Sequence, residues 1–317
     1  MSGISPAVRT AIVSARHDAR DTVLRWQAGA EYRALASAFA DCPADDPEPA
    51  ALRAERMFAD DGWAVALLDP LLAALSANPF FEPPFKVSRD SLRTGAILFE
   101  GPAVSITASV TSAETMAALP APATLVVSGR VQVTRTVKAG GATLRRWQAE
   151  PLTPCFSAAT ASACQDLTPL RLADGDVHRC DGRVAAQLLG GARSDVVAIV
   201  ATIRAGAAPL MREYAIDDGR LLRVASADDR ASRTEMLLAF LRLSGRGDAS
   251  DRFEAVTHDP AFHLRWAAMR EWLALDARAA LPRLAQMATH DTNAEVRAAA
   301  LRTLAIAGPR VRAACRA

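Results

Sequence analysis

Lysine is nearly missing from this chain: only Lys86 and Lys138 occur, and every other basic side chain is arginine. Histidine is scarce too, with five in 317 residues and no His-x-His pair, which removes a common short metal-binding signature. The five cysteines (Cys42, Cys155, Cys164, Cys180 and Cys315) include no Cys-x-x-Cys and no Cys/His pair at zinc-finger spacing. Free thiols in a reducing compartment are therefore the expectation. No run approaches 18 consecutive apolar residues, so a membrane-spanning helix is not expected. Met1-Ser-Gly-Ile-Ser-Pro6 lacks the basic and apolar regions of an export signal, and a cytoplasmic location follows as the expectation. Gly-x-Ser-x-Gly, a P-loop and a dinucleotide fingerprint are all absent, which leaves no ready-made nucleophile or phosphate cradle.

The formal net charge of +2 is too small to argue for nucleic acid or an anionic membrane as a partner. Acidic residues interleave with the arginines throughout, as on an ordinary solvated surface. Half of the residues are apolar, enough for a sizeable core, and the length predicts two or three units.

Helical spacing of Val8, Ile12, Val13, Leu24, Tyr32, Leu35 and Phe39 predicts helix over residues 6–40. The proline- and acid-rich segment 41–49 predicts a loop. Helix is expected again over 50–59 and 62–76, the latter carrying Trp63, Leu67, Leu68, Leu71 and Leu75. Phe80, Phe81 and Phe85 stand among prolines, as in a rigid connector that plugs an interface. A long stretch of β-type pattern follows. Val104–Thr111 and Leu125–Thr134 alternate apolar and polar residues, which places one face of a strand on a core. Strands are expected near 96–100, 103–111, 124–137, 142–149, 168–173, 176–180, 183–189, 196–204, 210–216 and 220–225. Gly140-Gly141, Asp174-Gly175, Asp181-Gly182, Gly190-Gly191 and Asp218-Gly219 mark turns between them. Many short strands with close turns imply an antiparallel sandwich or barrel.

Leu172-Ala-Asp-Gly-Asp-Val177, with the apolar strand Val196-Val-Ala-Ile-Val-Ala201 after it, resembles the later half of a cupin-type jelly roll. The resemblance covers about 95–225 and implies a barrel with a ligand-accepting mouth. It departs from the metal-binding members of that family, because His178 is the only histidine in the region. It therefore implies a metal-free β domain, a class that includes isomerases and epimerases, with no cofactor and no metal expected.

His258–Leu273 can be laid over His290–Ala305 at an offset of 32 residues. The identities are His258/His290, Asp259/Asp291, Arg265/Arg297, Ala267/Ala299, Ala268/Ala300 and Arg270/Arg302. A fixed period of this size with helical spacing marks stacked helix pairs. The pattern resembles short HEAT-like repeats. In that resemblance Asp259 and Asp291 cap the second helix of each pair, and Arg265 and Arg297 tie neighbouring repeats together, with Arg233 as a third copy.

The fold class expected is α+β multidomain. It comprises an N-terminal helical segment (1–94), a cupin-like antiparallel β-sandwich (95–227) and a HEAT-like helical repeat domain (228–317). The leading functional expectation is a non-enzymatic scaffold or regulator that docks a protein partner through the repeats. The alternative is a metal-independent enzyme or small-anion sensor working in the barrel mouth. The candidate ligand-binding residues are Arg135, Arg146, His178, Glu213 and Tyr214. Arg135 shares the parity of Val127, Val131, Val133 and Val137, and on an inward face it needs an acid such as Glu100, Glu150 or Glu213, or an anionic ligand. Asp174, Asp176, His178 and Cys180 share one parity as well, but Gly175 breaks the row, so a turn with a solvent-facing His178 is preferred to a ligand cluster. Neither a nucleic acid nor a membrane is expected as a partner.

Overall fold

The computed structural model describes residues 5–60, 62–78, 80–153, 156–227 and 229–314, and Cys155 and Cys315 lie outside them. Ser5 accepts the Val8 N–H at 3.3 Å and opens α1 (Pro6–Gln27). The helix expected through residue 40 stops there. Gly29 takes an extended conformation and starts α2 (Ala30–Ala38), and a Cβ on it would lie 2.9 Å from the Trp26 carbonyl. Next come α3 (Glu48–Phe58) and α4 (Gly62–Ala77). The β region holds β1 (Lys86–Arg89), β2 (Arg93–Glu100), β3 (Val104–Thr111), a short α5 (Ala113–Ala118), β4 (Thr124–Val127), β5 (Val131–Lys138) and β6 (Thr143–Gln148). It continues with β7 (Gln165–Arg171), β8 (Val177–Asp181), β9 (Ala185–Gly190), β10 (Val196–Ile203), β11 (Leu210–Ala215) and β12 (Leu221–Ser226). The remaining elements are α6 (Asp229–Leu243), α7 (Ser250–Val256), α8 (Phe262–Leu275), α9 (Ala277–His290) and α10 (Ala294–Ala314). The fold is thus α+β, with antiparallel sheets. No helix among the described residues is long and apolar enough to cross a membrane.

The chain divides into two compact units, and the division differs from the three consecutive segments expected. One unit takes 1–122, 130–147 and 166–207; the other takes 123–129, 148–165 and 208–317. The cause lies in strand pairing. The stretch 124–137, expected to be one strand, breaks at Gly129 with φ 79°. β4 then pairs with β11 (Leu125 opposite Tyr214), whereas β5 pairs with β10 and β8.

In the first unit, a six-stranded sheet in the order β1-β2-β3-β10-β5-β8 faces a three-stranded sheet, β7-β6-β9. Leu144, Leu170, Leu189 and Val196 fill part of the space between them. The opposite face of the large sheet is covered by helices. Val104, Ile106, Val131, Val133, Ile199 and Ala201 pack there with Ala50, Ala54 and Phe58 of α3 and with Leu67 and Leu71 of α4. Phe81 is buried in this core, and Phe85 meets Trp26 edge-on at 5.8 Å between ring centres. Phe80 stays exposed, so the aromatic connector is only partly a plug.

In the second unit, β12-β11-β4 form a sheet, and α6 to α10 share a core of Leu238, Phe253, Met269, Trp272, Leu284, Met287 and Val296. The two sequence copies behave alike. Arg265 Nη1 donates to the carbonyls of Asp259 and Pro260 at 3.0 and 3.1 Å, and Arg297 Nη1 donates to those of Asp291 and Thr292. Asp259 accepts a two-nitrogen contact from Arg230, and Asp291 accepts one from Arg265. The cation that grips Asp259 is therefore Arg230, where the offset pointed to Arg233. The aspartates close turns by accepting the N–H groups of Ala261 and Asn293, and it is Asn293 that caps α10, at the N–H groups of Glu295 and Val296.

Candidate functional site

β5 shows how the first unit builds a polar surface between its sheets. Its residues alternate, but the apolar side chains Val131 and Val133 turn to the helices. Gln132, Thr134 and Thr136 therefore turn to the gap between the sheets, opposite the direction expected from the valine parity. Register extends this surface across neighbouring strands. Thr134 stands opposite His178 and Gln132 opposite Cys180 on β8, and Thr134 opposite Val200 on β10. Arg179, between the two β8 residues, points the other way and grips Glu48 of α3 at 2.8 and 2.6 Å. Further along the same face, Arg93 Nη2 donates to Ser109 Oγ at 2.8 Å.

Across the gap, Arg146 of β6 lies within electrostatic reach of both His178 and Cys180. Its guanidinium is anchored by Nε and Nη2, which donate to the Thr168 carbonyl at 3.1 and 2.8 Å. Arg145, on the other face of β6, stacks over Trp147 at 4.6 Å. The two nitrogens of His178 are buried and make no hydrogen bond of good geometry, with Gln187 of β9 alongside. Burial pushes the His178 pKa down, and Arg146 adds to this; Asp176 and Gln187 pull the other way. The imidazole is consequently neutral at pH 7. Burial also pushes the Cys180 thiol up to about 11, so it stays protonated and is no nucleophile at neutral pH. His178, Cys180, Gln187, Arg146 and Gln132 are all half-buried.

These shifts have a measurable consequence. His178 binds its proton more weakly folded than unfolded, so its contribution to stability is present above the ordinary pKa of 6.5 and is lost as pH falls below it. An NMR titration of the His178 ring should show a midpoint below 6.5. A midpoint above that value contradicts the desolvated site.

The other candidates lie elsewhere. Arg135 faces α3, where Nη1 donates to the Phe58 carbonyl at 2.5 Å, at the C-terminal end of that helix. The three glutamates expected as its partners are engaged as follows. Glu100 pairs with Lys86 and Arg204 at 2.7 and 2.6 Å, Glu213 pairs with Arg223, and the Glu150 carbonyl accepts from Arg212. The assumed alternation through Val137 also fails. The β5–β10 register shifts near Thr136, and Val137 is exposed. Glu213 and Tyr214 occupy opposite faces of β11 in the second unit, Tyr214 buried and Glu213 beside exposed Arg223. Asp174 and Asp176 serve the turn, accepting the N–H groups of Ala139 and Ala173 at 2.7 Å each. Among the described residues, no three His, Cys, Asp or Glu side chains gather closely enough to hold a metal ion. Arg146 and His178, named from the sequence, lie on the two facing sheets of the first unit, whereas Gln187 and Arg212 are not among the sequence candidates. The signal for Arg212 was there, in the shared parity of Leu210, Arg212 and Tyr214.

No protein-family model matches the chain, and no curated protein matches its sequence. Solved structures do match. An ectoine synthase from P. lautus aligns over 38% of this chain and 69% of its own, at 10% identity and a TM-score of 0.23. A 7S globulin from Momordica charantia aligns over 41% of this chain at 10% identity and a TM-score of 0.26, and this chain spans only 35% of that protein. A cupin 2 conserved barrel domain protein from Rhodopseudomonas palustris aligns over 49% of this chain and 86% of its own, at 10% identity and a TM-score of 0.24. Likeness at this level assigns no activity.

Proposed function

We propose that the first unit is a cupin-like β domain that binds a small anionic molecule between its two sheets, using protein side chains alone. The observation that carries this reading is that Arg146, on one sheet, lies within electrostatic reach of His178, on the other, among half-buried polar side chains. A guanidinium cannot shed its charge, and its fork matches a carboxylate or phosphate. A neutral imidazole beside it can accept a proton from the bound molecule, which is the minimum that a metal-independent isomerisation needs. A thermal-shift screen of the full chain against small organic acids and sugar phosphates tests the proposal. A ligand at 100 times its Kd should add about 2.7 kcal/mol of stability. That gain is expected to vanish in Arg146→Met and to shrink in His178→Gln. A flat screen, or an undiminished gain in Arg146→Met, defeats the reading.

Arg135→Leu serves as the contrasting variant. It removes the bond to the Phe58 carbonyl, and the expected loss of stability is about 1–2 kcal/mol with ligand binding unchanged. Lost binding in this variant would return Arg135 to the site.

A second reading, docking of a protein through a HEAT-like helical array, is favoured by a different observation. Met236, Leu237, Phe240 and Leu243 of α6 are 63–74% exposed and fall on helical spacing. They present on the order of 500 Å² of apolar surface, so two copies facing each other would bury about 1,000 Å², the lower bound for a specific contact. A second copy of this chain is the occupant that this reading commits to. Sedimentation should then show a dimer that Phe240→Glu converts to monomer. A monomer at every concentration rejects it.

A further inference from the structure

One arginine of the helical array makes only part of the contacts that its counterparts make. Arg230 grips the Asp259 carboxylate with two nitrogens, and Arg265 grips that of Asp291. Arg297 is held by its own turn, since its Nη1 donates to the Asp291 and Thr292 carbonyls at 2.6 and 3.2 Å. Its Nε and Nη2 meet no acceptor among the described residues. These are the two atoms with which Arg265 holds its carboxylate. The Arg297 guanidinium is thus pinned along one edge, and the edge that suits a carboxylate is available.

The apolar surface beside it is open in the same way. Leu301 and Leu304 stand one and two turns after Arg297, on the same face of α10. At the corresponding positions of α8, Met269 and Trp272 are both buried, whereas Leu301 is 60% exposed. Leu301 and Leu304 line a groove with Leu281, Pro282, Ala285 and Pro309, between α9 and α10. The surrounding charge has one sign. Residues 277–314 hold six arginines and only two acids, in a chain whose net charge is +2. Both acids are engaged, Asp291 with Arg265 and Glu295 with the Ser157 hydroxyl.

We infer that this groove docks an acidic amphipathic helix of a partner protein. An aspartate in the turn before that helix closes on the Arg297 fork, and the apolar face of the helix fills the groove. A turn aspartate ahead of a helix is what Arg230 and Arg265 already hold within the array. The partner differs from the second copy assigned to α6, and the inference rests on neither earlier reading.

Fluorescence anisotropy on the full chain tests this with a labelled, end-capped peptide, an Asp-Pro turn followed by an amphipathic helix of leucine and glutamate. It is expected to bind with a Kd below about 1 mM, and its Asp→Asn version at least about tenfold more weakly. Arg297→Gln should make the two peptides bind alike. Leu301→Glu keeps the fork and tests the groove alone: it should weaken the peptide at least about tenfold without lowering the unfolding temperature. Phe240→Glu should leave the affinity unchanged. No binding up to roughly millimolar peptide overturns the inference. So does a preference for the aspartate peptide that survives Arg297→Gln, or equal binding of a peptide with its leucines scattered around the helix. Binding to phosphatidylserine vesicles without binding to the peptide would assign the groove to a membrane surface and overturn it as well.

Discussion

Arg265→Leu is expected to destabilise the second unit by about 3–5 kcal/mol, because it leaves the buried Asp291 carboxylate without its cation. The side chains of Arg265 and Asp291 are 9% and 2% exposed. They meet through two parallel bonds, Nε to Oδ2 at 2.9 Å and Nη2 to Oδ1 at 2.6 Å. Arg265 also ties down the carbonyls of its own turn, so one side chain joins the start of α8 to the turn before α10. The equivalent contact one copy earlier sets the scale. Arg230 holds Asp259 with a side chain 61% exposed, and Arg230→Leu should cost no more than about 1 kcal/mol. Urea denaturation of the two variants makes the comparison. Equal losses would show that burial of the Arg265–Asp291 pair is unimportant. Exchanging both partners, Arg265→Met with Asp291→Leu, should recover part of the loss, since no charge is then stranded.

Gly140→Ala should cost on the order of 3 kcal/mol, by a mechanism confined to the first unit. Gly140 has φ 59°, and a Cβ placed on it would sit 2.0 Å from the Ser194 carbonyl oxygen. That approach exists because the turn between β5 and β6 is bonded to the loop before β10: the N–H groups of Arg193 and Ser194 donate to the Gly140 carbonyl at 2.7 and 3.3 Å. Gly191 separates the two contributions. It has φ 67° with nothing within 4 Å of an added Cβ, so Gly191→Ala carries only the backbone strain of about 1–2 kcal/mol. Thermal unfolding of both variants gives the difference. A Gly140→Ala protein no less stable than Gly191→Ala would mean that the two loops do not meet as described.

Both glycines were legible as turn residues from the sequence, and the contrast between them was not. A Gly-Gly or Asp-Gly pair reports the local need for a left-handed backbone. It says nothing about what packs against the turn, since Ser194 is more than fifty residues away. The helical array shows the same division. The offset of 32 residues located Arg265 and Arg297 as equivalents, and each donates to the carbonyls five and six residues before it. Whether the guanidinium also reaches an aspartate in the next copy depends on how helices pack, and there the partner of Asp259 proved to be Arg230.

The polar site was harder to read for a physical reason. Alternation on a strand assigns residues to two faces, but it does not say which face meets what. In β5 the valine parity predicts a face lining a barrel interior, which would put Arg135 inside. The helices claim that face, since Val131 and Val133 pack with Phe58 and Ala54, and the threonines are left to line the gap. A two-sided sheet has both faces covered, so hydrophobicity marks contact with helices as readily as contact with another sheet.

By itself, the sequence determined the element types, most of the turns, the paired repeat arginines and the scarcity of metal ligands. These rest on local chemistry, on backbone conformations and on side-chain periodicity within one strand or helix. Tertiary structure alone decided that 124–137 splits at Gly129 between two units and that Arg146 comes within electrostatic reach of His178 on the facing sheet. It also decided that Arg212 and Tyr214 are buried together in the lining of one cavity. Each of these depends on pairings between residues tens of positions apart, fixed by the summed burial of whole faces, which no single stretch encodes.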